Sequence, residues 1–243
     1  MTWLVLAPTL DEAARWAAER LPAAGIAPLM MVTDQDLAGA TWRHQLDHDG
    51  ATTAIALADG RVIDSGDLRG TLNRLTHVPP GLVDGMAFDD RAYAHQELSA
   101  LVLSWLASMP GPVVNPPDPR GLCGAWRPSS EWAMLAAEAG LCPAPVRVNG
   151  EIERQDVPGG WQSWPPYAPV PEDVIVAGEA VFAGRELDET TIAACRCLAA
   201  RAGTPLLGLA FNAEGMSGAT PLPDLRAGGD DLVAALAHLL DPR

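Results

Sequence analysis

Five polar residues stand where they could grip a ligand. Asn73 and Arg74 follow a short apolar strand, at the sheet end where open α/β folds put their ligands. Glu97 on the next helix, Asn115 at the end of a later strand and Arg127 shortly after it can approach the same edge. Together they would form a polar pocket for a carboxylate or a peptide backbone, with Arg74 as a bidentate donor. The alternative is an Arg74–Glu97 pair that only pins the helix of residues 91–108 to the sheet.

Other chemistry is excluded more easily. All sixteen basic side chains are arginine, so a lysine Schiff base, a lysine general base or a lysine on a nucleotide phosphate is unavailable. The five histidines are scattered; His44 and His48 share a helix-like spacing, but their segment alternates as a strand does. Ser217 between Gly215 and Gly218 lacks the G-x-S-x-G spacing of a nucleophile elbow. Asp34/Asp36, Asp47/Asp49 and Asp89-Asp90 read as turn and cap residues, and no carboxylate couple stands out. Cys123, Cys142, Cys195 and Cys197 show no CxxC spacing and are expected as buried, reduced thiols. No catalytic residue and no metal site is assigned. Of eight tryptophans, Trp3 and Trp105 read as core. Trp161 and Trp164, in a Pro-rich stretch, either anchor a partner or fold back to fill a cleft.

The 243 residues carry a net charge of −15, which argues against nucleic acid or an anionic membrane as partner. Hydrophobic residues make up 48% and charged residues 19%, a globular composition. No apolar run is long enough to span a bilayer. No basic segment precedes the first apolar run, and Asp11 and Glu12 follow it at once, so no secretory signal is expected and the location is read as cytoplasmic.

The elements that must position these residues are legible in outline. Trp3–Ala7 reads as a buried strand. A helix capped by Thr9 or Asp11 follows, ended by Pro22 and Gly25, and then a strand Pro28–Val32. This β-α-β opening predicts a parallel sheet. Trp42, His44 and Leu46 alternate with polar residues, and Thr52–Ala58 and Arg61–Ile63 flank the hairpin signal Asp59-Gly60. Strand Thr71–Leu75, helix Arg91–Ser108 and strand Pro112–Asn115 complete the first unit, and Pro116–Pro119 reads as a linker. Further on come a helix Glu131–Ala139 capped by Ser129 or Ser130 and an irregular stretch Asn149–Pro171. A hairpin around Gly178-Glu179, a helix Asp188–Ala202, a strand Pro205–Phe211, an irregular segment Asn212–Gly229 and a closing helix Asp230–Leu240 follow.

This order resembles the ATP-grasp superfamily, in particular its peptide-modifying ligase-like branch. The resemblance is carried by the strand running into Asn115-Pro116 and by Ala139-Gly140-Leu141 before Pro143 and Pro145. Val174–Ala183 is similar to the family's hairpin, Ala193–Gly203 and Pro205–Phe211 to its closing helix and strand, and Pro221-Leu222-Pro223 to its proline-bracketed loop. It implies a pre-ATP-grasp-like α/β lobe over residues 1–115 and a truncated ATP-grasp-like α+β lobe over residues 116–243.

The departures fall on the chemistry. Family members hold phosphates with lysines, and only Arg127 stands near such a position. Ala210 stands where active members carry an acid, and Gly218-Ala219-Thr220-Pro221 stands where they carry a magnesium-binding Glu-x-Asn-Pro motif. Asn149–Pro171 is short for the strands and loop that cover ATP. The expectation is a non-catalytic pseudoenzyme without cofactor that binds a protein or peptide. That ligand would be a modifying enzyme or its precursor, and a homo-oligomer is also open. The rival is a divergent ATP-dependent carboxylate–amine ligase.

Overall fold

The computed structural model describes residues 1–48, 50–79, 87–146 and 173–242. At its centre β1 (Thr2–Ala7) is apolar on both faces because both faces are covered: Trp3, Val5 and Ala7 enter one core, Leu4 and Leu6 another. Asp11 caps α1 (Glu12–Arg20), its carboxylate accepting from the Ala14 amide at 2.9 Å. β2 (Leu29–Thr33) runs into a short helix α2 (Asp34–Ala38), which Thr33 and Asp36 start as a reciprocal capping box. A three-stranded antiparallel sheet follows, β3 (Thr41–Asp47), β4 (Gly50–Ala56) and β5 (Val62–Asp64). Then come β6 (Leu68–Asn73), α3 (Phe88–Ala107) and β7 (Val113–Val114). The parallel sheet has the order β2-β1-β6-β7, so strands are added on one side of β1 and then on the other, which makes the gap between β1 and β6 a topological switch point. β6 starts before the expected Thr71, because Leu68 and Gly70 pair with Thr2 and Trp3 of β1.

In the second half, α4 (Ser129–Ala139) has Pro128 as its cap residue and no side-chain cap, so neither serine plays the expected role. Gly140, at φ +91°, ends it. β8 (Val174–Ala177) and β9 (Ala180–Ala183) form a two-residue hairpin. Gly178, with φ +59°, takes the first central position, where a type II′ turn needs glycine. α5 (Glu189–Ala202) is capped by Asp188, and β10 (Leu206–Asn212) follows. The segment expected as irregular contains a strand, β11 (Gly215–Thr220). Gly215 and Gly218 depress its local preference for strand, and pairing to β10 from Gly208–Thr220 to Asn212–Gly215 supplies what the local residues do not. α6 (Gly229–Leu240) closes the chain, and the antiparallel sheet has the order β11-β10-β8-β9.

α6 lies between the two sheets. Its Leu232, Val233, Leu236 and Leu240 share one core with Trp3 and Val5 of β1 and with Ile175, Ala177 and Leu206 of β8 and β10. On the far side of the parallel sheet, α3 and the three-stranded sheet bury Val102, Trp105 and Ile55. Trp42 meets Trp105 edge-to-face there, with ring centroids 5.0 Å apart. On the far side of the antiparallel sheet, α4 and α5 bury Trp132, Ala136 and Leu198. Among the described residues no helix is long and apolar enough to cross a membrane.

Candidate functional site

Four of the five polar residues singled out by sequence, Asn73, Arg74, Asn115 and Arg127, are held by protein partners, and only Asn73 and Asn115 meet. Asn73 is buried; its amide donates to the carbonyls of Asn115 (3.0 Å) and Leu122 (2.7 Å), and its Oδ1 accepts from the Leu75 amide. Asn115 is fully buried; its Nδ2 donates to the Leu206 and Pro221 carbonyls at 2.8 and 2.9 Å, and its Oδ1 accepts from the Leu206 amide at 2.9 Å. Asn115 thus joins the end of the parallel sheet to β10 and to the loop after β11, and Asn73 ties Asn115 to the end of β6.

Arg74 does not reach Glu97. Its buried guanidinium forms a two-point pair with Asp11 (2.7 and 3.3 Å) and donates to the Pro223 carbonyl at 3.0 Å. It therefore pins the start of α1, not helix 91–108. Glu97 is exposed on α3. Arg127 pairs with Glu131 one turn along, stacks over Trp132, and donates to the Ala202 carbonyl at the end of α5. Arg120 joins the same Glu131, and although burial opposes it, the two guanidiniums hold that carboxyl below its usual range. Trp161 and Trp164 lie outside the described residues.

At the carboxyl ends of the parallel strands the structure assembles a group that the sequence does not announce. Thr9 donates its amide (2.8 Å) and hydroxyl (2.6 Å) to Oδ1 of Asp34, and His77 Nε2 lies 3.3 Å from Oδ2. Burial opposes the charge on Asp34, but the Thr9 bonds outweigh it and the carboxyl titrates below its usual range. The Thr76 hydroxyl meets His77 Nδ1 at 2.8 Å. Beside them a cavity of about 250 Å³ has Thr76, His77, His95 and Ser99 on its walls and Leu103 and Leu122 beneath. Asp34, His77 and His95 come from separate elements, so no local spacing could have linked them.

The antiparallel sheet carries the second candidate. Directly paired residues of neighbouring antiparallel strands point to one face. The pairs Ile175–Phe182, Gly208–Ile175, Gly208–Thr220 and Ala210–Gly218 therefore put Ile175, Phe182, Ala210 and Gly218 on a common face. The two positions that the resemblance marks for metal-binding acids stand opposite one another, as Ala210 and Gly218. A cavity of about 620 Å³ lies along this face and the β8–β9 hairpin, lined by Asp173, Ile175, Phe182, Arg185 and Gly228 among others. Among the described residues, Asp173 and Arg185 are its charged side chains. Asp173 accepts from the Phe211 amide at 2.8 Å, and Arg185 lies over the Phe211 ring. Among the described residues no group of three His, Cys, Asp or Glu side chains could hold a metal ion.

The cysteines differ from expectation at two positions, since Cys142 is exposed and Cys197 half-buried. Cys123 and Cys195 are buried, which pushes their thiols up to about 12 and about 11, whereas Cys142 is exposed. Cys142 lies in the stretch that bonds to Met216 of β11 through its backbone, and its side chain is on the surface.

No protein-family model and no characterised relative matches the sequence. Solved structures do resemble it in fold. The macrocyclase MdnC of Microcystis aeruginosa MRC, bound with precursor peptide MdnA, superposes with a TM-score of 0.70 at 12% identity, covering 100% of both chains. A Chryseobacterium gregarium RiPP-associated ATP-grasp ligase in complex with ADP and a leader and core peptide gives 0.64 at 10% identity, over 99% of this chain and 96% of that one. The ATP-grasp ligase PsnB complexed with minimal precursor gives 0.61 at 16% identity, over 99% and 97%. The chain has the mixed α/β fold of these structures, ATP-grasp ligases among them.

Proposed function

We propose that this protein is a non-catalytic, cytoplasmic ATP-grasp-like pseudoenzyme that binds a peptide or protein. The partner is a precursor peptide or the enzyme that modifies one. The observation that carries this reading is the register that sets Ala210 against Gly218. Magnesium requires hard oxygen ligands, and this pair offers only a methyl group and a hydrogen atom. The charge of the adjoining cavity supports the same conclusion. Among the described residues its charged side chains are one aspartate and one arginine, and the chain has no lysine, so these walls carry no net positive charge to set against a triphosphate. The residues present do not fit a magnesium nucleotide. The peptide-binding half of the reading is supported by the neighbours solved with precursor peptides.

Thermal unfolding with and without Mg-ATP tests it. A nucleotide at a hundred times its dissociation constant would add about 2.7 kcal/mol of stability. The melting temperature would then rise by roughly 5–10 °C for a chain of this size. No rise is expected, together with co-purification of a peptide or protein partner. A clear rise with ATP would overturn the reading. The second reading, a divergent carboxylate–amine ligase, is favoured by the near-complete superposition on an ADP-bound ligase. ADP release that depends on an added peptide would establish it.

A further inference from the structure

β9 is the last strand of its sheet, and no described residue pairs with its outer side. In a two-residue hairpin the residues flanking the turn exchange hydrogen bonds, and the pattern alternates from there. Ala177–Ala180 and Ile175–Phe182 are therefore the bonded pairs, and Val181 and Ala183 turn their N–H and C=O groups outwards. Edge strands are normally guarded by a charge, a proline or a bulge. Ala180-Val181-Phe182-Ala183 has no charged residue or proline, and its register to β8 is unbroken. The cavity of about 620 Å³ runs along this strand, and Arg185, two residues past its end, makes no ion pair among the described residues. Asp173 lines the same cavity but forms no ion pair with Arg185, so among the described residues this guanidinium beside the edge keeps its donors for an incoming carboxylate.

We infer that β9 takes up an extended peptide as a fifth strand of the antiparallel sheet. Its backbone bonds to Val181 and Ala183, an aliphatic side chain enters the cavity beside Ile175 and Phe182, and a carboxylate meets Arg185. The residue opposite Phe182 places its side chain on the Ile175–Phe182 face, over the cavity, so backbone pairing and the apolar contact are made together. The inference deepens the peptide-binding reading and rests on it: it names the surface and the chemistry of the ligand.

The test uses the full chain and a synthetic probe, acetyl-Thr-Val-Thr-Ile-Thr-Val with a free carboxyl terminus, alongside its amide and an analogue N-methylated at alternate residues. Amide hydrogen exchange read by NMR should show Val181 and Ala183 protected by the acid and not by the N-methylated analogue. Ala183→Pro removes an outward N–H without touching the β8 ladder and should abolish binding; Val181→Pro is the second variant if the first is unstable. Arg185→Gln should weaken the acid about tenfold, to the level of the amide. Unprotected amides with every probe, undiminished binding to both proline variants, or protection already present before peptide is added would each overturn the inference. A natural partner that still co-purifies with Ala183→Pro would remove this site and leave the peptide-binding reading standing. No partner with either protein would remove both.

Discussion

Replacing Asn115 by Ala separates a ligand-binding asparagine from one that holds the two sheets together. The side chain makes three hydrogen bonds to backbone groups, two to Leu206 and one to Pro221, and is fully buried. Truncation leaves the Leu206 amide and two carbonyls without those partners in a site closed to solvent. A buried polar group left unsatisfied costs about 1–3 kcal/mol. The three share one cavity, so their costs do not simply add, and a total of about 3–5 kcal/mol is expected. At roughly 2–4 °C per kcal/mol the melting temperature should fall by about 6–20 °C. The transition should stay single, because α6 packs against both sheets in one core. Urea titration and thermal unfolding of purified Asn115→Ala measure this. A fall below about 2 °C would refute the argument and return Asn115 to the candidate ligands.

Arg74→Ala should destabilise by about 3–5 kcal/mol in urea unfolding, since it strands the Asp11 carboxylate in a largely buried site; an unchanged midpoint would place the guanidinium in a binding role. Asp34→Asn should lower stability by about 1 kcal/mol at neutral pH through lost charge-assisted bonds from Thr9. Because the folded carboxyl titrates below its ordinary value, that difference is present above about pH 4 and disappears as pH falls through the depressed value. Unfolding at pH 7 and pH 3 checks the sign. Under native conditions a thiol reagent should label Cys142 readily, and Cys123 and Cys195 only after denaturant is added. Peptide mapping of the labelled protein would detect the opposite order.

Much of the secondary structure was legible because its determinants are local. Asp11 and Asp188 cap helices with bonds that reach only three residues. Gly140 and Gly203 end helices at positive φ, and Gly178 turns a hairpin. The β8–β9 boundaries agree with the apolar pattern to the residue at Ala177 and Ala180. β11 was not legible, since two glycines hide it and its partner strand creates it.

The site divides in the same way. Residue types alone, with no lysine in the chain and no acid at positions 210 and 218, bear on which cofactor chemistry is open to it. Where the polar side chains point was decided only by the tertiary structure. Arg74 found Asp11, 63 residues away, in place of Glu97, and Asn115 found Leu206, 91 residues away. The physical reason is that a hydrogen bond fixes its partner through distance and angle in space, within about 3 Å. Sequence records spacing along the chain and not which carbonyl will face a given amide once two sheets close on one helix.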